Sequence, residues 1–251
     1  MTTPHESLAP AAESDAPPTL SIIIPALDEE HALATLLSDI EGLPVEHEVI
    51  VVDGGSIDRT RSVAQQRGAV VITTRPGRGH QLATGAGVAR GRILCFLHAD
   101  IRLSSRTREA IAAEALTMRG GAAVFTIAIN AVGRSYRLIE RVANWRTRVL
   151  GLPYGDQGLL VTRWDYDVVG GFQDVRLMED VAIVRELRRH STVRLLEESL
   201  LVSARRWQRD GVWRRTLGNY LLIILYVMGV PTALLARVYR AGETSGGRPS
   251  L

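Results

Sequence analysis

The sequence contains no lysine: all 30 basic side chains are arginine, against 27 acids, for a formal net charge of +3. The planar guanidinium pairs bidentately with phosphates and carboxylates, so an anionic ligand suits this composition. Only the clustering of those arginines is informative, because their total can follow genome composition. Aromatics make up 5% of the chain and no nucleic-acid-binding motif is present, which argues against a nucleic-acid partner. The single cysteine, Cys95, excludes an internal disulfide framework and suits a reducing compartment. It lies inside an apolar run and reads as a buried, inert thiol. The first eighteen residues have neither a basic n-region nor an apolar h-region, and they read as the disordered tail of a cytoplasmic protein. The apolar segment Leu221 to Ala236 is sixteen residues long and interrupted by Pro231, short of the ~20 needed to span a bilayer. Flanked by Arg214, Arg215, Arg237 and Arg240, it reads as a packed or dimer-forming helix ahead of a membrane-surface one. There is no G-x-x-x-x-G-K-[ST], and neither Gly77-Arg78-Gly79 nor Gly85-Ala86-Gly87 makes a G-x-G-x-x-G directly after a strand, so neither common phosphate loop is supported.

What the sequence does have is strand–helix alternation. Leu20 to Ile24 reads as a buried strand stopped by Pro25, Glu48 to Asp53 as a second and Ala69 to Ile72 as a third. A fourth covers 92–97, ending at His98-Ala99-Asp100. Helical spacing separates them, at Leu33, Leu36, Leu37 and Ile40 and again over Leu82 to Ala89. This order predicts an α/β fold with a mostly parallel sheet flanked by helices. Ligands of such sheets bind outside the carboxyl ends of the strands, where Asp53 and Asp100 stand. Asp100 could instead cap the following helix, and Glu179-Asp180 could serve only as acids at a helix N-terminus. Further on, the pattern predicts helices over 103–118, 134–150 and 179–189, and strands over 122–129 and 159–162. Five arginines and two tryptophans fall between Arg205 and Arg215, which suits a solvated face, a membrane-surface patch or an anion pocket.

Ile22 to Glu30, then Val51-Val52-Asp53-Gly54-Gly55-Ser56 with Asp58 and Thr60, then Phe96-Leu97-His98-Ala99-Asp100, resemble the family 2 glycosyltransferases of GT-A fold. Gly155-Asp156-Gln157 and Met178-Glu179-Asp180 match that family's acceptor half, so the resemblance covers about residues 20–215. It implies a Rossmann-like sheet with a C-terminal helical extension. The implied boundaries are a tail over 1–18, a nucleotide-sugar-binding half over 19–101 and an acceptor half over 102–215. An apolar helix over 216–240 and a disordered tail over 241–251 complete the chain.

The resemblance further implies a UDP-sugar donor held by Pro25, Ala26, Leu27, Glu29, Asp53, Arg75, Gly79, Gln81, His98 and Asp100. A divalent metal, Mg²⁺ or Mn²⁺, would sit on the diphosphate through Asp100 and His98. The sequence departs from the family at His98, which stands where the first D-x-D aspartate is expected; imidazole suits Mn²⁺ better than Mg²⁺. Catalytic positions would be Asp156, Glu179, Asp180, Arg206 and Trp207. Acceptor contacts would come from Gln157, Arg205, Arg209, Arg214 and Arg215.

The sequences His98-Ala99-Asp100, Arg78-Gly79-His80-Gln81, Met178-Glu179-Asp180 and Arg205-Arg206-Trp207 are similar to a small branch associated with selenium metabolism. That branch includes the selenosugar synthase of selenoneine biosynthesis, and it implies attack by selenophosphate or another small anion on UDP-N-acetylglucosamine or UDP-glucose. Two other functions fit the residues: glycosylation of a lipid or polysaccharide hydroxyl at a membrane surface, and nucleotide-sugar binding without catalysis.

Overall fold

The computed structural model describes residues 17–153, 155–175 and 177–243. The first half runs β1 (Leu20–Ala26), α1 (Glu30–Ile40), β2 (His47–Asp53), α2 (Thr60–Gln66), β3 (Val70–Thr73), α3 (Arg78–Val88), β4 (Ile93–Phe96) and β5 (Ile101–Arg102). The second runs α4 (Ser105–Thr117), β6 (Ala122–Asn130), α5 (Arg134–Leu150), a 3₁₀ turn at Gly155–Gln157, β7 (Leu159–Thr162), α6 (Arg163–Val168), α7 (Glu179–His190), β8 (Val193–Ser203), α8 (Arg205–Asp210), α9 (Val212–Val227) and α10 (Thr232–Glu243). The eight strands form one sheet in the order β3-β2-β1-β4-β7-β6-β8-β5. Strands β1 to β4 are mutually parallel, β6 and β8 are parallel, and β7 and β5 run against their neighbours. The expected mostly parallel α/β architecture is what the chain adopts.

Successive residues of the central strands point into opposite cores, as a two-residue period requires. Ile22, Ile24, Val51 and Cys95 pack toward α1 on one face. Ile23, Ile50, Val52, Leu94 and Phe96 pack toward α3 and α7 on the other. Cys95 is buried, and burial pushes its thiol well up, so it is chemically quiet.

Three expectations need correction. Strand β1 does not stop at Pro25 but continues to Ala26. The Ala26 carbonyl accepts from Gly54 on the β2 side, so Pro25 faces the β4 side, where pairing has already ended at Ile23–Phe96. Its missing N–H therefore costs no ladder bond. The C-terminal segment is not one helix over 216–240. Helix α9 begins at Val212, ahead of the expected boundary, and Gly229 (φ +88°) with Pro231 turns the chain into α10. Residues 241–243 continue α10 rather than starting a tail; the tails expected over 1–16 and 244–251 lie outside the described residues. The hairpin of α9 and α10 packs Leu222, Ile223 and Leu235 on Met178 and Val181 of the α7 region.

Candidate active site

The loops after β1 and β2 are stitched together by their own polar groups. The Asp28 N–H donates to Ser56 Oγ (2.9 Å), Glu29 N–H to Thr60 Oγ1 (2.9 Å) and Glu30 N–H to Asp58 Oδ2 (3.1 Å). The Asp28 carboxylate returns the link by accepting from Ile57 N–H (2.9 Å). Buried Gln81 on α3 clamps the same strand ends, donating to the carbonyls of Ala26 (3.1 Å) and Val52 (2.8 Å) and accepting from Gly77 N–H (3.3 Å). Each of these bonds satisfies a backbone group at the edge of a cleft that water would otherwise have to solvate.

Asp100 does not cap α4, since Ser104 does so by accepting from Thr107 N–H (3.1 Å). The carboxylate of Asp100 is left for the site. Pairing of Ile101 with Val202 sets Ser203 beside Asp100, and α8 starts two residues later. This brings Arg205, Arg206 and Trp207 to the end of β4 across more than a hundred residues of sequence.

Two clefts meet there. One lies over the ends of β1 and β4, with Pro25, Ala26, Leu27 and Glu29 on one side and His98 and Asp100 on the other. The second, about 620 Å³ and open to solvent, holds Asp156, Glu179 and Asp180 with Trp207, Arg215, Asn219 and Tyr239. Arg78, Asp100 and Arg206 line both. Arg78 reaches Glu179 Oε1 at 3.3 Å and Asp180 Oδ2 at 3.7 Å. Because α3 and α7 both begin at this junction, their positive helix ends add to its arginines.

The titration of the site follows from that crowding. Burial first, then the Glu179 charge, raise the Asp180 carboxyl to about 8. Burial and then the Asp100 charge raise Asp156. Burial, with Arg78 and Arg206 nearby, holds His98 well below the usual histidine range, so its imidazole is neutral. Its ring makes no hydrogen bond to any described residue, although the residue is only 8% exposed. Glu29 Oε1 accepts from Arg205 (2.6 Å), whereas the buried Glu29 Oε2 has no hydrogen-bond partner among the described residues.

Several expected contacts fall elsewhere. Asp53 is fully buried and lines neither cleft; its carboxylate accepts from Gly55 N–H (3.0 Å) and Ser56 N–H (3.1 Å) and so shapes the loop. Arg75 pairs with Asp174 away from both clefts. Buried Gln157 donates to Phe125 O (2.9 Å) and accepts from Thr147 (2.6 Å), and it lines neither cleft. Arg209 is held by Asp210 (2.7 Å), and Arg214 lines neither cleft. Arg205 sits by Glu29 and 3.7 Å from Asp100, next to the first cleft rather than among the acceptor-side residues. Of the five expected acceptor residues only Arg215 lines the second cleft, bonded to Asp210 (3.0 Å) and to the Tyr239 hydroxyl (2.8 Å).

Gly79 also lines neither cleft. A Cβ there would run into the Gln173 carbonyl and come within 3.3 Å of Glu179 Cβ, so this glycine lets α3 approach the start of α7. Gly79→Ala is expected to destabilise the fold by about 2 kcal/mol, because the obstacle is backbone. Thermal unfolding with and without UDP reads this out.

Arg78 carries no contact signal of its own in the sequence, although it lies within the Arg78-Gly79-His80-Gln81 stretch. Asn219 and Tyr239 carried no local signal, since they arrive on a hairpin that looked external to the site.

The fold is an α/β architecture on a mixed sheet, with two clefts that share Arg78, Asp100 and Arg206 at the strand ends. The chain matches Glycosyl transferase family 2 over residues 21–182 and belongs to that family. Among curated proteins it is similar to the glucosyl-3-phosphoglycerate synthase of Mycolicibacterium paratuberculosis, 34% identical over 94 residues, 33% of this chain and 29% of that one. The chain thus spans less than a third of that relative's length. Among solved structures it resembles the mannosyltransferase PcManGT from Pyrobaculum calidifontis in complex with GDP-Man and Mn²⁺ (TM-score 0.60, 20% identity, 83% of this chain and 63% of that one). It also resembles the Mycobacterium tuberculosis glucosyl-3-phosphoglycerate synthase in complex with Mn²⁺, UDP and phosphoglyceric acid (TM-score 0.57, 20% identity, 85% and 80%).

Proposed function

We propose that this protein transfers a sugar from a UDP-sugar, UDP-N-acetylglucosamine or UDP-glucose, to a small phosphate-bearing anion, with inversion at the anomeric carbon. Selenophosphate is the favoured acceptor. The observation that carries the reading is the position of Arg78 and Arg206 on the wall between the two clefts, where leaving diphosphate and incoming anion both need cationic partners.

In this reading the nucleoside occupies the cleft at Pro25 to Glu29, where the unpartnered Glu29 Oε2 accepts a ligand N–H or O–H. The neutral, unpartnered His98 and the Asp100 carboxylate suit a divalent ion of the Mn²⁺ type. No cluster of three or more His, Cys, Asp or Glu surrounds that point among the described residues, so ligand oxygens and water would complete its shell. Such an ion supplies charge stabilisation to the departing diphosphate. The protein supplies the same through Arg78 and Arg206.

The acceptor sits by Arg215, Asn219 and Tyr239. Its selenium lone pair forms the bond to C1, and the C1–O bond to the diphosphate breaks, the electron pair leaving on UDP. Selenophosphate is already an anion, so no proton need be removed. Asp180 and Glu179 then orient sugar hydroxyls and Arg78 rather than act as a base. Asp53, Gln81 and Gly79 hold the loops and helices that frame these contacts.

Mass spectrometry of the purified protein with UDP-N-acetylglucosamine, Mg²⁺ and selenophosphate tests the proposal, with 3-phosphoglycerate as the rival anion. A product with the selenium isotope pattern is the expected result. UDP release with a glycosylated phosphoglycerate instead would replace the acceptor and retain the chemistry. Tight UDP binding with no turnover of either would favour a binding protein.

A further inference from the structure

Helix α5 buries Ile139, Ala143 and Arg146 on one side, yet the side bordering it is not polar. Leu138, Val142, Trp145 and Val149 recur there at spacings of four, three and four, and all are exposed. Helix α9 repeats the pattern with Trp213, Leu217, Leu221, Ile224 and Val227. Exposure along the two rows runs from 38% at Val142 to 66% at Leu217. The helices meet where the Arg146 guanidinium lies 5.7 Å from the Tyr220 ring centroid. Val142 and Val149 stand four before and three after Arg146, and Leu217 and Ile224 three before and four after Tyr220, so each row runs beside this contact on its own helix. An exposed apolar surface of this extent marks an interaction site.

The charge around the seam identifies what covers it. Helix α5 carries five arginines and one acid, Glu140, which is buried, accepting from Ile129 N–H and pairing with Arg137 (2.9 Å). Helix α9 carries two arginines and no acid. Arg134, Arg137, Arg141 and Arg148 are exposed beside the α5 row, Arg148 being paired with Glu197 on the flank. A two-fold contact between copies would set this patch against itself and bring the same arginines together without acids to receive them. An anionic lipid surface takes both features, apolar side chains into the headgroup boundary and guanidinium groups onto phosphates. No described helix is long and apolar enough to cross the bilayer, which leaves a lying geometry.

We propose that the α5–α9 seam docks the protein on a membrane surface rich in anionic lipid. The docking does not depend on which acceptor the active site uses.

Co-sedimentation of the full chain with vesicles tests this. Vesicles of equimolar phosphatidylcholine and phosphatidylglycerol should carry down the protein, and phosphatidylcholine alone should carry down at least about tenfold less. The double variant Trp145→Glu/Leu217→Glu is expected to lose about tenfold or more of that partition. UDP binding by calorimetry, unchanged in the variant, shows that its fold survives. A second variant, Arg134→Gln/Arg141→Gln, leaves the apolar rows intact and should lose the preference for phosphatidylglycerol. Equal partition of parent and both variants would overturn the proposal. So would failure of the parent to bind at low salt, with a dimer that the Trp145→Glu/Leu217→Glu change abolishes.

Discussion

Arg78→Met is expected to lower kcat/KM for glycosyl transfer by about 10²–10³-fold, the usual cost of removing one pre-organised group from developing charge. The residue is the first of α3, directly after Gly77, and its guanidinium faces both clefts. Two effects then add. The leaving diphosphate loses a cation on the wall between donor and acceptor. Asp180 loses the cation 3.7 Å away that lowers the cost of its ionisation, so it holds its proton more tightly, and Glu179 loses its ion-pair partner at 3.3 Å. Steady-state kinetics should therefore show kcat falling more than UDP affinity. Arg78→Lys returns the charge without the planar fork and should recover only part of the loss. Arg75→Met is the matched control: that arginine pairs with Asp174 outside both clefts, and its loss should change rates by no more than about twofold. A kcat/KM for Arg78→Met within that same range would remove the residue from the mechanism.

The second large effect is on stability, with its sign fixed by linkage. An aspartate in the unfolded chain titrates near 3.9, whereas burial and the Glu179 charge raise Asp180 to about 8 in the folded protein. Between those two values the folded state binds the extra proton. Its stability therefore falls as pH rises from about 4 toward 8. Asp180→Asn removes the dependence. The variant should unfold at nearly the parent's temperature at pH 4 and above it at pH 8. The displacement is worth about 5 kcal/mol at its limit. With a fifth of the side chain exposed, about 2 kcal/mol is expected, roughly 4–8 °C in Tm. With selenophosphate as acceptor, the same variant should keep kcat within about tenfold, since no acceptor proton must be removed. Loss of activity beyond about a thousandfold, with UDP and sugar binding intact, would make Asp180 the base after all.

The first half of the fold was legible because its strands are buried on both faces, and such strands read as unbroken apolar runs, as at Ile22 to Ile24 and Ile93 to Phe96. Helix α5 was equally plain, its 134–150 limits set by Gly133 before it and Gly151 in a left-handed conformation after it. Strand β8 has no readable strand pattern in the sequence, though it is the longest in the sheet at eleven residues. Arg194, Glu197 and Glu198 break its apolar pattern, and a register shift at Phe125/Thr126 interrupts its pairing. The lack of a pattern hides part of the site, since β8 delivers Arg205 to Trp207 to Asp100. The clefts share Arg78 because α3 and α7 converge, a tertiary fact with no counterpart in sequence spacing. Likewise Asp53 looked like a ligand contact, but in the fold its carboxylate is consumed by the backbone of its own loop, whereas Gln81 does line the first cleft while its amide clamps the strand ends.

The same charges that disguised β8 have a consequence for how the protein survives in a crowded solution. Strand β5 covers only Leu201 and Val202 of β8, so most of that strand has no paired neighbour on the side away from β6 among the described residues. An open strand of this length is a template for amyloid-like addition of another chain. Here Arg194 is tied to Glu114 of α4, Ser199 O receives the Thr107 hydroxyl, and the exposed Glu197 is paired with Arg148 of α5 (2.7 Å). A chain approaching this border meets two salt bridges and a backbone carbonyl already taken. The residues that weaken β8 as a strand also keep the sheet from growing.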